Sequence, residues 1–210
     1  MRFADLDAVT IDAFGTVVDL VEPVESLRLA LLEHGREHEP EAIAAAFAAE
    51  AAHYRPRSHL GHDAESLEAL RRDCAAVFLD ALGADLAPGE FAAPFVRALR
   101  FEPVPGAVET VELLRAHNLR LAVVANWDIS LHEHLEALGL TRLFDAIVTS
   151  AEAGAPKPDA RIFELALARL GASPARALHV GDELFDEEGA RSAGMRFAPA
   201  PLESAFAGWT

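Results

Sequence analysis

Apolar positions along the 210-residue chain follow two rhythms. Ala8 to Ile11, Leu121 to Ala125, Ala146 to Thr149 and Ala177 to Val180 are short, nearly continuous apolar runs. They are too short for helices and suit strands buried on both faces. Helical spacing fills the gaps from residue 106 onward: near 106–117, near 130–138, Asp159 to Leu170 and Glu187 to Ala193, with a short Met195-Arg196-Phe197 closing the series. Strand and helix in alternation predict an α/β fold with a parallel sheet covered on both faces.

From Asp19 to about Arg100 the spacing is helical throughout, in four segments separated by breakers. Pro23 opens the first, with Val24, Leu27, Ala30 and Leu31 on one face up to Gly35. Pro40 opens the second, which carries Ile43, Phe47 and Ala51 and stops before Pro56. Residues 63–82 form the third, in which Leu67, Leu70, Cys74, Val77 and Leu82 align before Gly83; residues 88–99 form the fourth. No strand pattern interrupts this block. It reads as an all-helical insertion after the first strand, with 1–18 and 101–210 as the core and 19–100 as the inserted unit.

Composition narrows the function. No apolar run reaches the roughly 20 residues that span a bilayer, and Met1 to Asp5 lacks the apolar stretch of a signal peptide. The expectation is a soluble cytoplasmic protein without a membrane role. Cys74 is the sole cysteine, which rules out an intrachain disulfide and places it as a small core or interface residue. Thirty-four acidic against eighteen basic residues give a formal charge of −16, the wrong sign for holding a phosphate backbone, so nucleic acid is not an expected partner.

The candidate chemistry sits where strands end. Asp12, Asn126, Ser150 and Asp182 each follow a predicted strand, so a parallel sheet would bring them to one carboxyl-terminal edge. A carboxylate such as Asp12 can attack phosphorus or carbon and form a covalent intermediate that water clears. Gly15 permits a tight turn after it, and Thr16 either caps that turn or helps hold substrate. Lys157, between Pro156 and Pro158, has a stiffened backbone and would keep a neighbouring carboxylate ionised. Glu183, Glu187 and Glu188 read as a solvated cluster at a helix start.

Asp12-Ala13-Phe14-Gly15-Thr16, Val123-Val124-Ala125-Asn126, Ala155-Pro156-Lys157-Pro158 and His179-Val180-Gly181-Asp182 with Asp186, in this order, resemble the haloacid dehalogenase superfamily of hydrolases. The resemblance runs from residue 8 to about 198. It implies a Rossmann-like core with a helical cap inserted after the first motif, the subfamily I arrangement. Asp12 becomes the nucleophile, Lys157 its charge partner, and Thr16, Asn126 and Lys157 the contacts to the transferring group. Mg²⁺ would be held by Asp12, the Phe14 carbonyl and Asp182, with Asp186 binding directly, through water, or by orienting Lys157.

Two positions depart from the family's phosphatases. They carry an acid where this chain has Phe14, and a hydroxyl residue where it has Ala125. The family's dehalogenases have an aromatic residue at the first position, but they generally lack the Gly-Asp pair kept here. The retained metal motif favours a Mg²⁺-dependent phosphomonoesterase acting through an aspartyl-phosphate on a small phosphorylated metabolite. A 2-haloacid dehalogenase working through an alkyl-enzyme ester, and a weakly active or inactive binding protein, stay open. Arg55, Arg57, His59 and His62 form the insertion's most polar loop, which either stands at the mouth of the site to meet an anionic substrate or is a plain solvent-exposed loop; Arg28 is a candidate for a substrate carboxylate, although its helical context favours a surface role. The residue pattern leaves oligomeric state undefined.

Overall fold

A computed structural model describes residues 2–209. In chain order, β1 (Ala8–Ile11) is followed by β2 (Val18–Leu20), the helices α1 (Pro23–Glu33), α2 (Pro40–Tyr54), α3 (Ala64–Leu82) and α4 (Pro88–Ala98), and then β3 (Phe101–Pro103). The rest of the chain alternates: α5 (Ala107–Ala116), β4 (Arg120–Ala125), α6 (Leu131–Ala137), β5 (Ala146–Thr149), α7 (Ser150–Ala153), α8 (Ala160–Leu170), β6 (Ala177–Gly181), α9 (Leu184–Ser192), β7 (Arg196–Pro199) and α10 (Leu202–Ala205).

Five strands form one sheet in the order β5-β4-β1-β6-β7, every pair parallel. The continuous apolar runs follow from burial on both faces. Val9, Ile11, Leu121, Val123, Leu178 and Val180 point to one core with α5, α6 and α10. Ala8, Ala122, Val124, Val148 and Ala177 point to the other, beneath α8 and α9. The central strand β1 therefore ends deep in the protein, and Asp12, which follows it, is buried.

The helical segments form their own core from Leu27, Leu31, Ile43, Phe78, Phe91 and Phe95. Proline stands first in α1, α2 and α4, where its missing N–H costs nothing. Asp63 caps α3 by accepting from the Ser66 N–H at 2.8 Å, and Gly83 ends that helix at φ 68°. One feature contradicts the expectation of helices alone after residue 19: β2 and β3 pair antiparallel, with Asp19 opposite Glu102, and form a two-stranded ribbon where the helical block leaves and rejoins the sheet. Among the described residues no helix is long and apolar enough to cross a membrane.

Candidate active site

Strand β1 delivers Asp12 to the carboxyl edge of the sheet, where its N–H donates to the Val180 carbonyl at 2.8 Å. Lys157 reaches in from the loop after α7 and is itself buried. Its ammonium ion-pairs with Asp12 Oδ1, and with Asp186 Oδ1 at 2.6 Å. Burial opposes the Lys157 charge, but the two carboxylates outweigh it and raise its pKa. Burial pushes the Asp12 carboxyl up while Lys157 pulls it back. A buried charge pair of this kind requires both partners, because removal of one strands the other in a low dielectric.

Asp186 is almost fully enclosed, and both its oxygens are engaged. Oδ1 also meets His179 Nε2 at 2.8 Å, and Oδ2 accepts the Glu183 N–H at 3.1 Å. Burial acts to raise its pKa, yet the His179 hydrogen bond and Lys157 hold it well below the usual carboxylate range. An ionised Asp186 is acceptor-only, so His179 donates from Nε2. Burial lowers the His179 pKa and keeps it neutral, which leaves Nδ1 to accept from the Thr10 hydroxyl at 2.8 Å. The chain Thr10-His179-Asp186-Lys157-Asp12 fixes the ammonium beneath the nucleophile candidate. Of the roles left open for Asp186, orientation of Lys157 is the one these contacts carry.

His179, which opens the fourth motif segment, and Thr10 are supporting residues to which the sequence assigns no role. Each is a polar residue inside an otherwise apolar strand, and the two are register partners, Thr10 opposite His179. Gly181 completes the support: a Cβ there would overlap the Asp186 side chain.

Asp182 is exposed, and burial of part of its carboxyl raises its pKa. Carboxylate oxygens of Asp12, Asp182 and Asp186 all lie within 4.8 Å of one another. Gly15 sits beside them at φ 75°, and a Cβ on it would stand 2.6 Å from Asp182 Oδ2, so the turn after Asp12 both needs the left-handed backbone and leaves room for that carboxylate. An all-oxygen donor set of three carboxylates suits Mg²⁺, which keeps several waters.

Of the other residues expected to contact the transferring group, Asn126 lines the cavity and Thr16 does not. Asn126 Oδ1 accepts the Lys157 N–H at 2.6 Å and its Nδ2 donates to the Lys157 carbonyl at 3.2 Å, so the carboxamide clamps the lysine loop. Thr16 is buried with its hydroxyl unpartnered and away from the cavity wall. Phe14 is exposed and lines the cavity, and Ala125 lines it without a hydroxyl.

Above the sheet edge lies a cavity of about 580 Å³ walled by both helical block and sheet. Of the polar loop's four basic residues only Arg55 reaches it, and Arg55 pairs with Glu183 at 3.0 Å. Arg57 donates to the His53 carbonyl, His62 lies beside Asp63, and His59 keeps a buried, unpartnered Nδ1. Arg28 is spent on Glu25 at 2.7 Å. Among the three glutamates, Glu187 pairs with Arg191 on the surface, whereas Glu183 faces the cavity. The loop instead docks the helical block on the sheet. Ser58 and Ser150 share a buried hydrogen bond at 2.9 Å, and the Tyr54 hydroxyl donates to Asp128 Oδ2 at 2.9 Å.

The carboxyl edge of the parallel sheet thus carries a buried aspartate-lysine pair and further carboxylates. The chain belongs to the haloacid dehalogenase-like hydrolases, whose family model matches residues 6–194. It is 43% identical over 121 residues to haloacid dehalogenase-like hydrolase domain-containing protein 3 of Mus musculus, a match covering 55% of this chain and 47% of the mouse protein. A glyceraldehyde 3-phosphate phosphatase of Methanothermobacter thermautotrophicus is 41% identical over 103 residues, 48% of this chain and 45% of that protein. The matches thus span about half the length of these curated relatives. Among solved structures, L-2-haloacid dehalogenase from Xanthobacter autotrophicus superposes with TM-score 0.71 at 27% identity, covering 93% of this chain and 77% of that one.

Proposed function

We propose that the protein is a Mg²⁺-dependent phosphomonoesterase that acts through Asp12 on a small phosphorylated metabolite in the cytoplasm. The observation that carries this reading is the paired placement of Lys157 and the exposed Asp182 carboxylate around Asp12. The phosphatase-named relatives support it, glyceraldehyde 3-phosphate phosphatase among them. In this reading residues 1–18 and 101–210 are the catalytic core and 19–100 the cap that encloses the substrate.

Asp12, the Phe14 carbonyl and Asp182 would hold the Mg²⁺, with Asp186 beside them; when bound it neutralises charge on the phosphoryl oxygens. A carboxylate oxygen of Asp12 attacks phosphorus, the bond to the ester oxygen breaks, and water then hydrolyses the aspartyl-phosphate. Burial raises the Asp12 pKa to about 7 and Lys157 opposes that rise, favouring the ionised nucleophile; the Lys157 ammonium also offsets the charge that builds on the phosphoryl group. Asn126 acts mainly by holding the Lys157 backbone in place. Phe14 supplies no proton, so the ester oxygen must leave as the anion or be protonated by solvent. Asp128 is not a ready substitute, since its oxygens serve Tyr54 and the Ser130 N–H.

Phe14 also gives a specific ground for a second reading, carbon–halogen hydrolysis, because halide leaves without a proton. Turnover of an activated aryl phosphate separates the two. The phosphatase reading requires Mg²⁺-stimulated hydrolysis that disappears in Asp12→Asn; metal-independent turnover of a 2-haloacid with none of an aryl phosphate would replace it.

A further inference from the structure

The cavity over Asp12 is walled mainly by apolar side chains, Phe47, Phe95, Phe101 and Trp127 among them. Into this wall α2 places a carboxyl, Glu50, on the same buried helix face as Ile43 and Ala46. Glu50 is 5% exposed and still lines the cavity. It has no cation partner among the described residues; its single interaction is with the Cys74 thiol, a weak donor.

Such a group is costly to bury without a partner. Five other charged residues on the wall are already engaged. Asp12 and Lys157 pair with each other, Arg55 pairs with Glu183, and Asp128 is bonded to Tyr54 and Ser130. Arg71 also lines the cavity, without an ion pair among the described residues, and its charge acts to lower the His134 pKa. Glu50 comes from the helical block, across from the sheet edge that carries Asp12. A substrate whose phosphoryl group rests at Asp12 and Lys157 extends its leaving group toward that wall, and the cavity volume suits a small metabolite.

We propose that Glu50 is the specificity-determining residue for the leaving group: it takes a hydrogen-bond-donating far end, ammonium or hydroxyl, and disfavours substrates that end in a second anion. Ammonium gains most, since a carboxylate and aromatic walls both attract it. The inference rests on the phosphatase reading and sorts the substrates named for its relatives. A leaving group such as that of glyceraldehyde 3-phosphate, which carries a hydroxyl, is compatible. The carboxylate of phosphoglycolate and the second phosphate of ribulose 1,5-bisphosphate are not.

The test is calorimetric binding, with Mg²⁺ present, of non-hydrolysable ω-amino, ω-hydroxy and ω-carboxy alkylphosphonates of matched length. Wild type should bind the amino and hydroxy compounds at least about tenfold more tightly than the carboxy compound, a difference of about 1.4 kcal/mol. Glu50→Gln should shrink the amino-to-carboxy ratio about tenfold and the hydroxy-to-carboxy ratio less. Tighter wild-type binding of the carboxy compound would overturn the proposal and make Arg71 the recognition group. An unchanged ratio in Glu50→Gln, or binding of none of the three, would overturn it too. Aryl phosphate turnover by the same preparation reports separately on the phosphatase reading, which can hold while this inference fails.

Discussion

Replacing Glu50 by Gln should change how stability depends on pH, whatever the substrate. Burial pushes the Glu50 carboxyl from 4.5 up to about 7, with the Cys74 hydrogen bond pulling weakly the other way. The folded protein therefore holds this proton more tightly than the unfolded chain does. Glu50 contributes fully to stability below about 4.5, and that contribution is lost as pH rises through about 7. At about 1.4 kcal/mol per pH unit over that interval, the ionised form costs on the order of 3 kcal/mol. Gln keeps the shape and never ionises. Urea unfolding at pH 5, 6, 7 and 8 should show Glu50→Gln gaining on wild type as pH rises, with most of the gain between pH 5 and 7. Parallel curves for the two proteins would refute the argument that Glu50 is an unpaired buried acid.

Three other substitutions probe the site. Phe14→Asp restores an acid where the ester oxygen would leave, and should raise turnover of alkyl phosphates by up to about 10²-fold while changing aryl phosphate turnover far less; equal effects on both would mean that protonation is not what the site lacks. Lys157→Met strands Asp12 and Asp186 together in a buried site, so it should abolish turnover and lower unfolding stability by about 3 kcal/mol at neutral pH, with the deficit narrowing in acid as a carboxyl protonates; urea denaturation at pH 5 and 7 checks the sign. Gly181→Ala drives a Cβ into the Asp186 side chain and should cost about 1–3 kcal/mol together with most of the turnover, measured by denaturation and aryl phosphate hydrolysis. A neutral Gly181→Ala would mean that Asp186 is free to move.

The sheet was legible because its strands are buried on both faces: Ala8–Ile11, Ala146–Thr149 and the run to Ala125 keep the predicted limits. The ribbon of β2 and β3 was not, since two three-residue strands are too short to show alternation and their partner lies some 80 residues away. Strand ends located Asp12, Asn126, Ser150 and Asp182, because the topology carries them to one edge, whereas Lys157 and Asp186 came from the resemblance to the family's motifs. Side-chain direction is another matter. Nothing local in the sequence says that the Asn126 carboxamide turns onto the Lys157 backbone, a contact across 31 positions. Nor does it say that Arg57 and His62 turn away from the cavity. Two signals were present and unused: Thr10 and His179 inside apolar strands, and Glu50 at helical spacing from Ile43 and Ala46.

Whether Asp12 accepts the phosphoryl group is read by rapid acid quench during aryl phosphate turnover with Mg²⁺, followed by mass spectrometry of the peptide containing Asp12. A nucleophilic Asp12 carries a phosphoryl adduct that is absent from Asp12→Asn. An unmodified Asp12 during turnover, or an adduct formed only as a carboxyalkyl ester from a 2-haloacid, would contradict it.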